Sequence, residues 1–515
     1  MNKLTKLMVL FLAIVMMLST FAACNREDDP KDTDTNTNTE TEGDQTSGTE
    51  SNSESETTTG GFSESFNGEV IHVLGWPAGN ITEYVDELTD SSTVVEQAVY
   101  NRCDYTETRL NIKTVWELHL NSGFVDYADR ENANGGKFDV ITNTSTYSQT
   151  LMTRGVLSNL KKYPYLDFES EGWAKSLLTD VTVGNKLYFA TGDISTNLIF
   201  MTSVVFFNKD LVKDLEINQK IQEKYNANDL YELVTSGKWT LDKMLTLCEE
   251  TYHDANNDGI KNRGDRFGFN TYLQLLENFY YGGGYTTIKA TGSEFSVSED
   301  YLNAEIVGNL LEQVNDFLHD SKDGFYESAA SNPYAYVAQE FAAGNVLFSQ
   351  APASHAYTTH SNTEDLNYSV LPIPKHTETQ AAYACTQSFP YSMYSIASQS
   401  KYASIASAFL QVFAEESYEV TRPALFDKMM KGRYAEDPED AEMWEYAVDA
   451  NVFDVGRIFQ NLFKSETDDV NMTVSLFRKR VIDNNDNWSN VLSSYAITLA
   501  TRAATLASDI QALPD

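Results

Sequence analysis

Only four cysteines occur in 515 residues, and no two form a CxxC pair. That excludes a disulfide framework and a dithiol redox site. Beyond Cys24, the widely spaced Cys103, Cys248 and Cys385 could form at most one disulfide. Cys248 lies in an apolar-periodic stretch and reads as a small buried hydrophobe. Positive charge is also scarce, with 37 Lys and Arg against 75 Asp and Glu for a formal net charge of -38. A chain that acidic lacks the clustered cations that neutralise phosphates, so nucleic acid is excluded as a partner and anionic solutes are disfavoured. HExxH, GxSxG and P-loop motifs are absent, no GxGxxG follows the first strand, and the seven His are scattered. These absences speak against an enzyme and against a catalytic cofactor. A glycosidase pair stays open, because its two carboxylates need only approach in space.

The chain begins with Lys3 and Lys6, an apolar run from Leu7 to Leu18, and Phe21-Ala22-Ala23-Cys24. The run is shorter than the roughly 20 residues that span a bilayer, so residues 1–23 read as a signal peptide. The small residues before Cys24 resemble a bacterial lipobox, although Phe21 stands where that pattern has Leu, Val or Ile. The resemblance implies that Cys24 becomes the lipidated first residue, carrying diacylglycerol and palmitate on the outer face of the bacterial cell membrane. The alternative is ordinary secretion with Cys24 as an incidental thiol. Asn25 to Phe66 carries twelve acidic and two basic residues among Thr, Ser, Asn and Gly, with no apolar residue before Phe62. Such a stretch cannot bury enough surface to fold, so 24–66 reads as an acidic disordered tether.

The remaining body has the material for a large fold, since the chain is 42% hydrophobic and 12% aromatic. At roughly 450 residues it exceeds one hydrophobic core, which predicts two lobes. Val70 to Leu74 reads as a strand ending at Gly75-Trp76, a helix follows over about 93–110, and Ile112 to Trp116 and Phe138 to Ile141 are further strands. This alternation predicts a parallel α/β sheet. Solutes bind beyond the carboxyl ends of such strands, which places Trp76 and the segment Thr142 to Tyr147 at the mouth of a cleft. There Thr144, Ser145 and Tyr147 offer neutral hydrogen-bonding groups, unless they merely cap the next helix.

The order of patterns along the chain is itself informative: FDV with a polar loop, GVLSNL, NKLYFATGD, VVFFNKDLV, SGKWTLDKM, EFAAGNVLFS and LPIPK. From about Phe66 to Leu425 these resemble extracellular solute-binding proteins of carbohydrate ABC importers, a family similar to maltose-binding protein. The resemblance implies an α/β, two-lobed, type II periplasmic-binding-protein-like fold with discontinuous lobes joined by crossover strands. The crossings would run at Lys186 to Thr191 and Tyr391 to Ile396. Lobe 1 would comprise 67–190 and 397–425, and lobe 2 would comprise 191–396 and 426–515. It also implies a monomer that delivers a neutral sugar to ABC permease subunits. A glycoside hydrolase, a surface adhesin, and a receptor for a peptide or other solute are the competing readings.

The residues allow that division: Gly192 would permit a bend between the runs Leu187 to Ala190 and Val204 to Phe207, and Leu371 to Pro374 suits a sheet edge. Phe341 to Gly344 reads as a helix end, followed by the strand Val346 to Phe348 and a loop from Ser349 to Tyr357. Trp239, ahead of a helix over 241–251, reads as a packing residue. Sugars need flat apolar faces against their C–H groups and polar partners at the rim. Trp76, Tyr147, Trp173, Tyr357 and Phe389 are candidates for the first role, and Asp193 and Ser349 for the second. With 29 Tyr and 27 Phe in the chain, most aromatics belong to the core.

Asp254-Ala255-Asn256-Asn257-Asp258-Gly259-Ile260-Lys261-Asn262-Arg263-Gly264-Asp265 forms a separate motif. Oxygen donors from Asp254, Asn256, Asp258, Asn262 and Asp265, with the Ile260 carbonyl, follow calcium-loop spacing around Gly259. Asp265 stands where a full EF-hand has Glu, so the affinity would suit extracellular calcium. The alternative is a plain Asx-rich turn.

Overall fold

In the computed structural model, described for residues 64–77, 83–329 and 331–515, the apolar strand runs pair as their patterning demands. Eleven strands are present among the described residues: β1 Glu69–Gly75, β2 Ile112–Leu118, β3 Val140–Asn143, β4 Ser203–Asn208, β5 Phe267–Tyr272, β6 Ile288–Thr291, β7 Glu294–Val297, β8 Gly324–Glu327, β9 Val346–Pro352, β10 Tyr368–Pro372 and β11 Met393–Ile396. The signal segment, Cys24 and nearly all of the tether lie outside the described residues. The folded body already includes Phe66, whose amide donates to Leu110 O at 2.9 Å and whose ring meets Tyr165 edge-on.

The first sheet has the order β11-β3-β1-β2. β1 is parallel to both β2 and β3, while β11 pairs antiparallel to β3. The helix Val94–Leu110 connects β1 to β2, and its start is encoded locally. Thr93 Oγ1 accepts from the Glu96 amide at 3.2 Å while the Thr93 amide donates to Glu96 Oε2 at 2.7 Å. This reciprocal cap satisfies two amides that a helix otherwise leaves open. At the other end Asn111 adopts φ 48°, which turns the chain straight into β2.

The second sheet has the order β10-β4-β9-β5-β8 and is mixed, with β5 parallel to β8 and β9 and the pairs about β4 antiparallel. Each sheet thus carries one all-parallel trio, β2-β1-β3 and β9-β5-β8, extended by antiparallel neighbours. β10 lies at the edge, where its Pro372 costs no central ladder bond. Trp239 is fully buried and its indole donates to Pro372 O at 2.9 Å, a packing role. The helix after it spans Leu241–Cys248, shorter than predicted. Cys103, Cys248 and Cys385 are free and buried. Burial pushes the Cys248 thiol well up, which keeps it protonated and unreactive.

Two chain segments cross between these sheets, and they pair with each other at both ends. Ala190 and Tyr394 exchange backbone hydrogen bonds of 2.9 and 2.7 Å, and near β4 Ser388 N donates to Met201 O at 2.6 Å. Thr191 Oγ1 adds a bond to Ser392 O at 2.7 Å. Gly192 is required by close approach: a Cβ there would stand 2.2 Å from Gly172 O. Beyond the second crossing, the helix Ala403–Glu416 packs on Val94–Leu110, and Pro438–Asp449 packs on β10. The chain ends against the first crossing, where Tyr188 OH donates to Pro514 O at 2.7 Å. Among the described residues no helix is long and apolar enough to cross a membrane.

Candidate functional site

A cavity of about 530 Å³ opens where the second crossing segment leaves the second sheet. Phe389, Tyr272 and Tyr334 give it aromatic walls, while Glu277, Arg457 and Arg478 bring charge to it. Gln274, Ser388 and Gln460 add neutral polar groups.

Each wall residue is placed by its element. Tyr272 is the last residue of β5, so it projects at a strand's carboxyl end, where open sheets bind solutes. Its hydroxyl stands 3.3 Å from Ser388 Oγ, and burial pushes its phenol above the ordinary value. Tyr334 opens the helix Pro333–Ala342 and meets Tyr272 edge-on at 6.4 Å between centroids. Phe389 is half-buried, stacks on Tyr391 at 5.9 Å and 7° between planes, and carries the Arg457 guanidinium 4.9 Å from its centroid.

Arg457 is positioned by a chain of buried contacts. Asp454 caps the short helix Val455–Ile458 by accepting from the Arg457 amide at 2.9 Å. The same carboxylate accepts from the Thr287 amide at 2.6 Å and from Thr287 Oγ1. Burial raises the Asp454 carboxyl, and these hydrogen bonds oppose the rise. Gly456 makes the approach possible, since a Cβ there would fall 2.1 Å from Thr287 Oγ1. Arg457 Nη1 donates to Gln387 O. Glu277, just past β5, pairs with Arg478 Nη1 at 2.9 Å and with Arg457 Nε at 3.7 Å.

Of the residues singled out by sequence, Phe389 lines this cavity. The segment after β3 approaches its rim: Gln460 Nε2 lies 3.5 Å from Thr146 Oγ1, and the Asn461 amide donates to Gln149 Oε1 at 3.1 Å. Thr144 takes the helix N-cap position without a side-chain capping bond, and Ser145 Oγ is buried with no partner among the described residues. Tyr147 is half-buried beside Phe124.

The other candidates are held elsewhere. Trp76 is only 4% exposed and donates its indole to Ser392 Oγ at 3.0 Å, so it is a core residue beneath the crossing. Trp173 is buried against Phe168 with its indole on Gln411 Oε1 at 3.2 Å. Asp193 pairs with Arg422 at 2.9 Å, and burial raises its carboxyl against that pairing. Ser349 belongs to β9 rather than to a loop, because the strand continues to Pro352 and a helix follows at Ser354–Thr358. Tyr357, on that helix, packs on Phe200 at 5.6 Å.

The Asp254 to Asp265 loop closes on its own carboxylates. Gly259 N donates to Asp254 Oδ2 at 2.7 Å, and the Ile260 amide donates to Asp258 Oδ1 at 2.7 Å, which holds the Asp258 carboxyl below the usual range. Buried Asp265 accepts from Ala255 N, Asn262 N and Tyr252 OH. Its donors are all oxygen, the chemistry that suits a hard cation. Among the described residues no three His, Cys, Asp or Glu side chains already converge on one point.

Two α/β halves joined by a paired crossing, with a solute-sized aromatic and polar cavity beside it, define a two-lobed binding protein. A family model of bacterial extracellular solute-binding proteins matches residues 125–421, more than half of the chain, and the protein belongs to that family. It therefore works outside the cytoplasm. No curated protein matches the sequence. Among solved structures it is similar to a cyclo/maltodextrin-binding protein complexed with maltotetraose (TM-score 0.53, 13% identity, 87% of this chain and 99% of that one). A sugar transporter from Rhizobium etli in an open conformation follows (TM-score 0.51, 14% identity, 84% and 98% coverage). So does the GacH receptor of Streptomyces glaucescens, solved unliganded and with acarbose (TM-score 0.50, 14% identity, 84% and 99% coverage). At these identities the likeness concerns the fold.

Proposed function

We propose that this protein is the receptor subunit of an ABC importer, which captures a sugar or oligosaccharide and hands it to a membrane permease without chemical turnover. The observation that carries the reading is the cavity beside the crossing, where Phe389, Tyr272 and Tyr334 flank Ser388, Gln460 and three charged groups. Aromatic faces accept pyranose C–H surfaces, and the polar groups bind hydroxyls. The crossing pairs at Ala190 and Tyr394 and at Met201 and Ser388 suit a hinge between a lobe that holds the first sheet, β11 Met393–Ile396 included where the sequence pattern assigns it to lobe 2, and a lobe that holds the second sheet. Ligand would close them by its differential affinity for the closed state. In the same reading Cys24 anchors a monomer to the membrane through lipid, and the Asp254 to Asp265 loop holds a structural calcium ion. Thermal-shift screening of the mature body against mono- and oligosaccharides tests the central claim, because a ligand that binds only the native state raises Tm. A shift with peptides and none with sugars overturns the sugar assignment, and hydrolysis of the sugar overturns the receptor assignment.

A further inference from the structure

Arg457, Arg478 and Glu277 are the charged residues lining the cavity, so its walls carry a net charge of +1 in a chain whose net charge is -38. One carboxylate is shared between two guanidiniums, at 2.9 Å from Arg478 and 3.7 Å from Arg457. Arg457 is 9% exposed, and its Nε finds no hydrogen-bond partner among the described residues. A guanidinium has five N–H donors, and the one Glu277 carboxylate cannot satisfy two such groups. Arg478, whose side chain is 30% exposed, reaches the same carboxylate from the helix Ser475–Ile482. Both arginines lie beyond the stretch that matches the family model, which ends at residue 421.

We infer that the solute is an acidic sugar, an oligosaccharide bearing a uronate carboxylate that Arg457 and Arg478 receive while its ring lies against Phe389. This rests on the sugar-receptor reading and narrows it, against the chain's overall charge. The planar guanidinium fork matches a carboxylate, and the added negative charge balances the cavity. Phe389 then serves more than one group, since its ring holds the Arg457 guanidinium and stacks on Tyr391, and its partly exposed surface meets the sugar.

Calorimetric titration of the mature protein with short oligogalacturonides and oligoglucuronides, each paired with its methyl ester and its neutral counterpart, tests the inference. The acid should bind roughly thirtyfold or more tighter than its ester, an advantage that shrinks with salt. Arg478→Gln should collapse the ratio toward one, and Arg478→Lys, which keeps the charge but loses the fork, should leave an intermediate ratio. Equal binding of acid and ester, or a ratio unchanged in both variants, overturns the inference. Binding of neutral sugars alone also overturns it and leaves the sugar receptor standing. Binding of no sugar in the panel overturns both.

Discussion

Ala190 and Tyr394 exchange both of their backbone hydrogen bonds, fastening one crossing segment to the other. The clasp is backed by a buried charge. Tyr394 OH donates to Glu83 Oε2 at 3.1 Å, Ser195 Oγ donates to Glu83 Oε1 at 2.8 Å, and Arg102 Nη2 lies 3.6 Å from the same carboxylate. Arg102 also donates to Ile194 O and to Ser417 Oγ, so a residue of the first half supports the crossing from below.

Glu83→Gln should therefore destabilise the protein. Arg102 is fully buried and Glu83 is 3% exposed, so the substitution leaves a guanidinium without its counter-charge. Breaking such a pair costs about 3–5 kcal/mol, to be read from urea unfolding. A loss below about 1 kcal/mol would show that the network does not hold the crossing together.

Asp180 gives a pH-dependent prediction of opposite sign. Burial, reinforced by the nearby Asp454 charge, raises its carboxyl to about 6. An acid whose folded pKa lies above its unfolded value stabilises the fold only while protonated. Stability is lost as pH rises from about 4 through 6, and the full penalty stands above that. Asp180→Asn should gain about 1–2 kcal/mol at pH 7.5, with the gain shrinking as pH falls through 6 toward 4. Thermal melts across that range check it, and a gain that does not vary with pH refutes the assignment.

Much of the first half was legible because the deciding signals are local. The Thr93 and Glu96 box and the alternation of apolar runs each act through neighbours in sequence. Burial was not legible in the same way. Trp76 was correctly placed at the end of β1, yet whether its ring faces ligand or core depends on Ser392, more than three hundred residues away. Ser349 was misread because polar residues in β9 look like a loop until the sheet on both sides is known. Arg457, Arg478 and Glu277 were missed for a different reason. Charge was read over the whole chain, where acid dominates, while the cavity depends on three residues that only tertiary folding brings together.

The loop from Asp254 to Asp265 should respond to calcium. At a free concentration tenfold above Kd, binding adds about 1.4 kcal/mol to stability, which a chelator removes without unfolding the body. Asp258→Ala should abolish the response, since its carboxylate is a proposed ligand and also accepts from the Ile260 amide and from Asn262 Nδ2. Identical melts in millimolar calcium and in chelator would leave only an Asx-rich turn.

Cys24→Ala should move the protein from the membrane fraction to the soluble extracytoplasmic fraction, because an acyl anchor is the membrane contact that the sequence offers. Fractionation with mass analysis of the mature N-terminus decides it. Unchanged membrane retention, with no diacylglycerol mass on the wild type, sinks the anchor.

Phe389 and Trp76 should separate binding from folding. The sequence points to Trp76 as a ligand platform whose loss spares the fold, but at 4% exposure with its indole on Ser392 it belongs to the core. Trp76→Ala should cost about 3–5 kcal/mol of stability, the range for emptying a buried aromatic site. Phe389 is half-buried in the cavity wall, backed by Tyr391 and flanked by Arg457. Phe389→Ala should cost only about 1–2 kcal/mol of stability, because part of its surface is already open. The same change removes a stacking face worth about 0.5–1.5 kcal/mol beyond its buried area, so affinity for the bound sugar should fall tenfold or more. Urea unfolding and calorimetric titration of the two variants, compared side by side, give a crossed pattern: Trp76→Ala is weak in the first measurement and Phe389→Ala in the second. If instead Phe389→Ala binds as wild type while Trp76→Ala folds normally and binds poorly, the ligand sits at the end of β1 and the cavity beside the crossing is not its seat.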